Sequence, residues 1–278
     1  MIYDITDRVQ EAWEYFDSFL EERIQQIVEA SGVSRDRFIK INPLEFCEKN
    51  PYQKIRGYKY QRIRDWIAVN KTDDTFLISP LDDVELTANQ VSYKRQQKIV
   101  KTLRASKCEV VPLPKPIALD FLIRNHRQSA PNFRKTAVCY GLVNSGELVA
   151  LMQYDRSNGG VRGKKTEYEL VRLAIRHGYK IHGGASKLQK ACENTLRALG
   201  ETEIYSYSNA TINTGGVYKQ LGFDDLGADG GQPHVLKGDN TITRLLTLYP
   251  HTTHKALAVR GHIKVYLGGN RMWRKRIQ

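Results

Sequence analysis

Residues 178–223 constrain this 278-residue chain more than any other stretch. They read GYKIHGGASKLQKACENTLRALGETEIYSYSNATINTGGVYKQLGF, which predicts a glycine-rich turn, a helix over 186–199, a strand over 203–208 and a second helix over 214–221. A glycine turn that opens a helix leaves backbone N–H groups free at the positive end of the helix dipole. A phosphate or pyrophosphate fits such a turn without a long basic side chain. The second helix carries Tyr218 shortly before Leu221-Gly222-Phe223, where a phenol can serve as a general acid.

The residues before this stretch extend it into a mixed α/β unit. Pro112, Pro114 and Pro116 mark a break, followed by a short helix over 117–125. Strands are expected over 136–143 and 147–154, around the turn Asn144-Ser145-Gly146, and over 166–175. At the carboxyl end, AVRGHIKVYLGGNRMWRKRIQ alternates and turns at Gly268-Gly269-Asn270, so it reads as a terminal β-hairpin. The expected division is a mainly helical, basic region over 1–107 and an α/β domain over 108–278.

In the amino-terminal region, Ile5, Val9, Ala12, Trp13, Phe16, Phe19, Leu20, Ile24, Ile27 and Val28 recur at helical spacing and predict an amphipathic helix over 5–30. Residues 65–79 suggest two short strands joined by a polar turn. Residues 87–107 predict a helix capped by Thr87, with Lys94, Arg95, Lys98, Lys101, Arg104 and Lys107 on its exposed face.

The net charge is +13, and it is unevenly distributed. Residues 1–50 carry 6 basic and 11 acidic side chains, whereas residues 247–278 carry 7 basic and none acidic. The stretch PYQKIRGYKYQRIR interleaves Tyr52, Tyr58 and Tyr60 with Lys54, Arg56, Lys59, Arg62 and Arg64. Such segments suit a polyanion, most simply nucleic acid, through counterion release and stacking. A solvated basic surface is the other reading, and it stays open. On the nucleic-acid reading the contacts are Arg56, Lys59, Lys94, Arg95, Lys98, Lys101, Arg271 and Arg274.

No apolar run approaches a membrane span, and no basic n-region precedes an apolar core, so a soluble, cytoplasmic protein without a membrane partner is expected. Cys47, Cys108, Cys139 and Cys192 are too scattered for a zinc site or a disulfide framework. His251 and His254 lack a nearby third ligand, so no metal is expected.

Lys180-Ile181-His182-Gly183-Gly184-Ala185 resembles the pyrophosphate loop of the GNAT acyltransferase superfamily, with lysine where that pattern has Gln or Arg. The Tyr218–Phe223 segment is similar to the superfamily's last motif. The resemblance implies a mixed sheet flanked by helices and an acetyl-CoA or related acyl-CoA donor. Lys180, His182, Gly183, Gly184, Ala185, Ser186, Lys187 and Asn213 would hold that donor, and Tyr218 would protonate the leaving thiolate.

Several ordered motifs over roughly 108–278 carry a more particular likeness: His126-Arg127-Gln128, CYGLVNSGELVALM, YELVRLAI, GGASKL, SYSNATINTGGVYKQLGF and GHIKVYLGGNRMW. They resemble a phage domain that accompanies homing-endonuclease modules, and Mom-type proteins that modify adenine in phage DNA. The likeness implies a phage protein in the host cytoplasm, acting on DNA. The Mom-type Tyr-Glu-x-x-Arg run corresponds to Tyr168, Glu169 and Arg172, with Glu169 as general base; a purely structural Glu169–Arg172 pair is the alternative. Ser208, at the end of the following strand, would face the thioester. A binding module that has lost catalysis and a conventional protein or small-amine acetyltransferase remain the competing readings.

Overall fold

The stripe of apolar residues at helical spacing near the amino terminus becomes α1 (Thr6–Ser31). In this computed structural model, which describes residues 6–46, 66–95, 99–126, 133–156, 167–212, 214–228, 232–244, 262–267 and 270–277, the chain divides into two compact units. Unit 1 takes residues 1–84, 209–214 and 228–270; unit 2 takes 85–208, 215–227 and 271–278. The division therefore differs from the expected boundary at 107/108, because the chain passes repeatedly between the units.

In unit 1, α1 buries Ala12, Phe16, Leu20, Ile24 and Ile27, while Trp13 and Tyr15 of the same helix stay exposed. Strand β1 (Phe38–Lys40) runs parallel to β2 (Phe76–Ile78). Residues 66–70 are helical rather than extended, closed by the Lys71 N–H donating to the Ile67 carbonyl at 2.8 Å. Burial of Ile67, with Trp66 packed beside it in the unit 1 core, overrides the strand-like local pattern.

The boundary between the units falls just inside α2 (Val84–Lys94), a helix that ends well before the expected 107. The chain then becomes β3 (Lys101–Arg104) and a 3₁₀ turn (Ala105–Lys107). The β-branched residues Ile99, Val100 and Thr102 favour extended backbone, and β3 finds a parallel partner. Lys101 and Arg104 therefore do not share a helix face with Lys94 and Arg95.

The sheet of unit 2 is built from β4 (Glu109–Pro112), β5 (Val138–Asn144), β6 (Glu147–Arg156) and β7 (Tyr168–Ile175), with helix α3 (Lys115–Asn125) between β4 and β5. After β7 come β8 (Tyr179–His182), which is the partner of β3, then helix α4 (Gly184–Ala198), β9 (Glu203–Asn209), helix α5 (Gly216–Gln220) and β10 (Asp224–Ala228). The remaining strands are β11 (Gln232–Leu236), β12 (Ile242–Arg244), β13 (Ile263–Leu267) and β14 (Asn270–Arg276).

Seven strands line up in the order β10-β14-β9-β7-β6-β5-β4. Neighbours from β4 through β7 are antiparallel, and β9 is parallel to β7. The architecture is thus the expected mixed sheet flanked by helices. The terminal hairpin is not formed: β13 pairs with β11 in a separate three-stranded sheet, while β14 inserts between β9 and β10. Each strand finds its partners elsewhere in the chain, so local alternation does not decide the pairing.

The large sheet has two covered faces. One packs against α4 through Leu188, Cys192 and Leu196, together with Met152, Tyr154, Tyr168, Leu170, Ile204 and Trp273. The other packs against α3 through Ala118, Phe121 and Leu122, with Cys139, Leu151 and Ala174.

Candidate active site

Strands β7 and β9 form a parallel ladder over three pairs only, ending at Leu170 opposite Ser206. Both strands continue past that point, to Ile175 and Asn209. Beyond the last pair the two strands continue without a ladder between them; there the Tyr207 carbonyl accepts from the Tyr218 hydroxyl and the Val171 carbonyl from the Arg172 guanidinium. The Ser206 hydroxyl donates to the Leu170 carbonyl at 3.0 Å and pins the last closed pair.

A second irregularity sits at the same level. Gln153 of β6 pairs with Arg172 and Tyr154 pairs with Leu170, so Val171 is an extra residue on β7. In a regular strand, residues three apart face opposite sides. The bulge restores Glu169 and Arg172 to one face, opposite Asp155 and Gln153 respectively. This is the α3 face, as the alternation with Leu151 and Ala174 requires.

The two charged groups feel one another. Burial pushes the Glu169 carboxyl above its ordinary range, Arg172 partly opposes that, and Asp155 adds to it. Burial pushes the Arg172 guanidinium down, against the pull of Glu169. Asp155 is fully occupied: its carboxylate accepts from the Arg134 N–H and the Thr136 hydroxyl, each at 3.0 Å.

Tyr218 approaches the opening from α5. Its hydroxyl donates to the Tyr207 carbonyl at 3.3 Å, one residue past the end of the ladder. Its ring stacks on Trp273, with centroids 5.1 Å apart and planes 9° from parallel. Burial raises its pKa, Ser206 lowers it by hydrogen bonding, and Glu169 and Arg172 act on it in opposite directions. Tyr218 and Ser206 thus lie on the α4 side of the sheet and Glu169 and Arg172 on the α3 side, and the charged pair acts on the phenol electrostatically where the ladder ends.

The other two candidates are committed to packing. Tyr168 is buried, and its hydroxyl donates to the Thr136 carbonyl at 3.0 Å. Ser208 is buried and accepts from the Trp273 indole N–H at 2.9 Å.

The glycine turn has the predicted form. Gly183 caps α4 in the left-handed region, at φ 74°, and no acidic residue occupies the first turn. The Lys187 N–H returns to the Gly183 carbonyl, whereas the N–H groups of Gly184, Ala185 and Ser186 have no carbonyl within the helix. A Cβ at Gly184 would crowd the Ile181 side chain at 3.0 Å. His182 and Ser186 are exposed and Lys180 and Ala185 half-buried. Lys187 turns away: its ammonium donates to the carbonyls of Ala105 and Cys108, at 2.9 and 2.6 Å. Arg104 stands opposite His182 across the β3–β8 ladder, a neighbour of the turn that a helix over 87–107 does not reveal.

Of the basic residues, Lys101 lies over the Tyr179 ring and Arg271 is paired with Asp225 at 3.0 Å. Arg274 has its Nε buried, and Lys94 and Arg95 close α2. Arg56, Lys59, Lys98, Asn213, Cys47, His251 and His254 lie outside the described residues. Among the described residues no group of His, Cys, Asp or Glu could hold a metal ion, and no helix is long and apolar enough to cross a membrane.

No protein-family model and no curated protein matches this chain. Solved structures do. The ribosomal-protein-S18-alanine N-acetyltransferase of Escherichia coli matches at 14% identity and a TM-score of 0.37, covering 62% of this chain and 94% of its own. A Bacillus subtilis acetyltransferase in complex with CoA matches at 13% identity and a TM-score of 0.39, covering 62% and 100%. A GNAT family acetyltransferase of Elizabethkingia anophelis with acetyl-CoA bound matches at 12% identity and 0.37, covering 61% and 98%. At such identities and scores the likeness carries no weight for substrate or mechanism.

Proposed function

We propose that this chain is a GNAT-like N-acyltransferase that moves an acyl group from an acyl-CoA donor to an amine. The observation that carries the reading is the convergence at one level of the sheet: the β7–β9 ladder opens after Leu170, the Val171 bulge turns Glu169 and Arg172 to one side, and the Tyr218 hydroxyl reaches the opening. The donor, when bound, supplies an activated thioester carbonyl. Its pyrophosphate fits the free N–H groups of Gly184, Ala185 and Ser186, with Arg104, Lys180 and His182 near the turn. Its extended arm fits between β7 and β9, where their ladder ends after Leu170 and Ser206.

Glu169, whose carboxyl burial pushes above its ordinary range, is suited to accept the proton of an attacking ammonium. As the new C–N bond forms and the C–S bond breaks, Tyr218 gives its proton to the departing sulfur and regains one from solvent or the acceptor. Arg172 orients Glu169, and Tyr168 and Ser208 hold the strands that carry the site. The products are an amide and free CoA thiol.

The finer reading, an amine on a DNA base as in Mom-type proteins, is supported by the net charge of +13 and the basic carboxyl-terminal stretch. Incubation with [14C]acetyl-CoA and duplex DNA, single-stranded DNA or small amines, followed by mass spectrometry of digested nucleosides, tests both levels. Label in a nucleoside supports the DNA reading, and label in small amines alone supports a conventional acetyltransferase. Tyr218→Phe is expected to lower kcat by about 10²–10⁴ while donor affinity is kept. Unchanged turnover would remove Tyr218 from the chemistry.

A further inference from the structure

The side-chain amide of Gln153 is fully buried, and neither its oxygen nor its nitrogen has a hydrogen-bond partner among the described residues. A buried amide left unpaired on both ends costs stability, and native interiors pair nearly all such groups. Gln153 stands directly opposite Arg172, and Asp155, two residues on, stands opposite Glu169. The orphan amide therefore shares the α3 face with the carboxyl and guanidinium proposed for catalysis. Asp155 already has its partners, and the apolar side chains of Leu151 and Ala174 on that face offer Gln153 none.

We infer that Gln153 is a specificity-determining residue that hydrogen-bonds the acceptor beside its nucleophilic nitrogen. The inference rests on the acyl-transfer reading above. A primary amide presents one acceptor and two donors in a plane. It selects a ligand edge that offers a donor and an acceptor side by side, such as a carboxamide next to the amine. Bound acceptor thereby satisfies an amide that the protein alone leaves unsatisfied, and an acceptor lacking that edge forfeits both bonds. Arg172 fills the adjoining position and limits the acceptor to groups that tolerate a cation.

The test compares the wild type with Gln153→Met, which keeps the volume and removes the amide. Two probe amines are used with acetyl-CoA: alaninamide, which carries the edge, and isopropylamine, which lacks it. The variant is expected to lower kcat/KM for alaninamide by about tenfold or more. The kcat/KM for isopropylamine should fall far less than that for alaninamide, and the melting temperature should be equal or higher because an unpaired buried amide has gone. Equal effects on the two amines would overturn the assignment. So would a clear fall in melting temperature, which would make Gln153 a satisfied structural residue. If the wild type binds acetyl-CoA but transfers to no amine or nucleic acid, the acyl-transfer reading falls, and with it the acceptor role; the melting comparison, which needs no acceptor, then still reports whether the amide is structurally satisfied.

Discussion

The α4 face and the α3 face of strands β6 and β7 are built from alternate residues of the same two segments, yet they treat their polar groups differently. On the α4 face the buried polar side chains described are paired with one another. The Tyr154 hydroxyl donates to Gln189 at 2.7 Å, the Gln189 amide donates to Glu193 at 2.7 Å, and Glu193 is held by Lys275 and Arg197 at 2.6 and 3.0 Å. On the α3 face an apolar cluster gives way to Gln153, Glu169 and Arg172, with an unpaired amide and two charged groups whose ionisation burial disfavours. One face is closed and fixes the sheet; the other stores unmet polar demand where the ladder opens. Unmet demand of that kind is tolerated where a ligand relieves it.

The contrast breaks most severely at Gly215. This residue caps α5 at φ 84°, and an added Cβ would run into the Trp273 ring, the surface on which Tyr218 stacks. Gly215→Ala combines a left-handed backbone penalty with overpacking, about 2–4 kcal/mol. A fall of roughly 5–15 °C in thermal melting is expected, together with loss of turnover as Tyr218 shifts. Melting within a degree of the wild type would show that the closed face yields easily. Tyr154→Phe is the milder test. It leaves the Gln189 oxygen without its donor inside the core and should cost about 1–3 kcal/mol, measured by denaturant unfolding, with donor binding intact.

The legible parts of the fold were those written locally. The stripe from Ala12 to Ile27 specified α1, and the Gly183-Gly184 turn specified the start of α4, because periodicity and left-handed glycine are properties of neighbouring residues. What was not legible depended on distant pairing. The sequence GHIKVYLGGNRMW has the alternation and the turn of a hairpin, but β13 and β14 go to different sheets because β11 and β9 supply their partners. The helix expected over 87–107 stopped at Lys94 because Lys101–Arg104 found β8. For the candidate site, the resemblance nominates Tyr218, Glu169 and Arg172, although simple alternation sets Glu169 and Arg172 on opposite faces. Only the register of β6 against β7 reveals the bulge at Val171 that unites them. Gln153 gave no signal, since a glutamine within an apolar strand announces neither its burial nor its lack of a partner.

The smallest effect on stability, and the one that most sharpens the contrast, is expected from Glu169→Gln. Burial raises the folded-state pKa of this carboxyl even with Arg172 beside it, so the folded protein holds the proton more tightly than the unfolded chain does. Below the unfolded-state pKa the group is protonated in both states and costs nothing. As the pH rises through the unfolded and then the folded value, stability is lost, and the loss is complete above the folded pKa. Glutamine mimics the protonated form at every pH. The variant should therefore melt slightly above the wild type at pH 7.5 and level with it at pH 4, while kcat falls by about 10²–10⁴ for want of a base. A variant less stable than the wild type at pH 7.5 would mean that the Glu169–Arg172 pair is a structural bridge. The α3 face would then be closed in the same way as the α4 face, and the site would have to be sought elsewhere along the opened ladder.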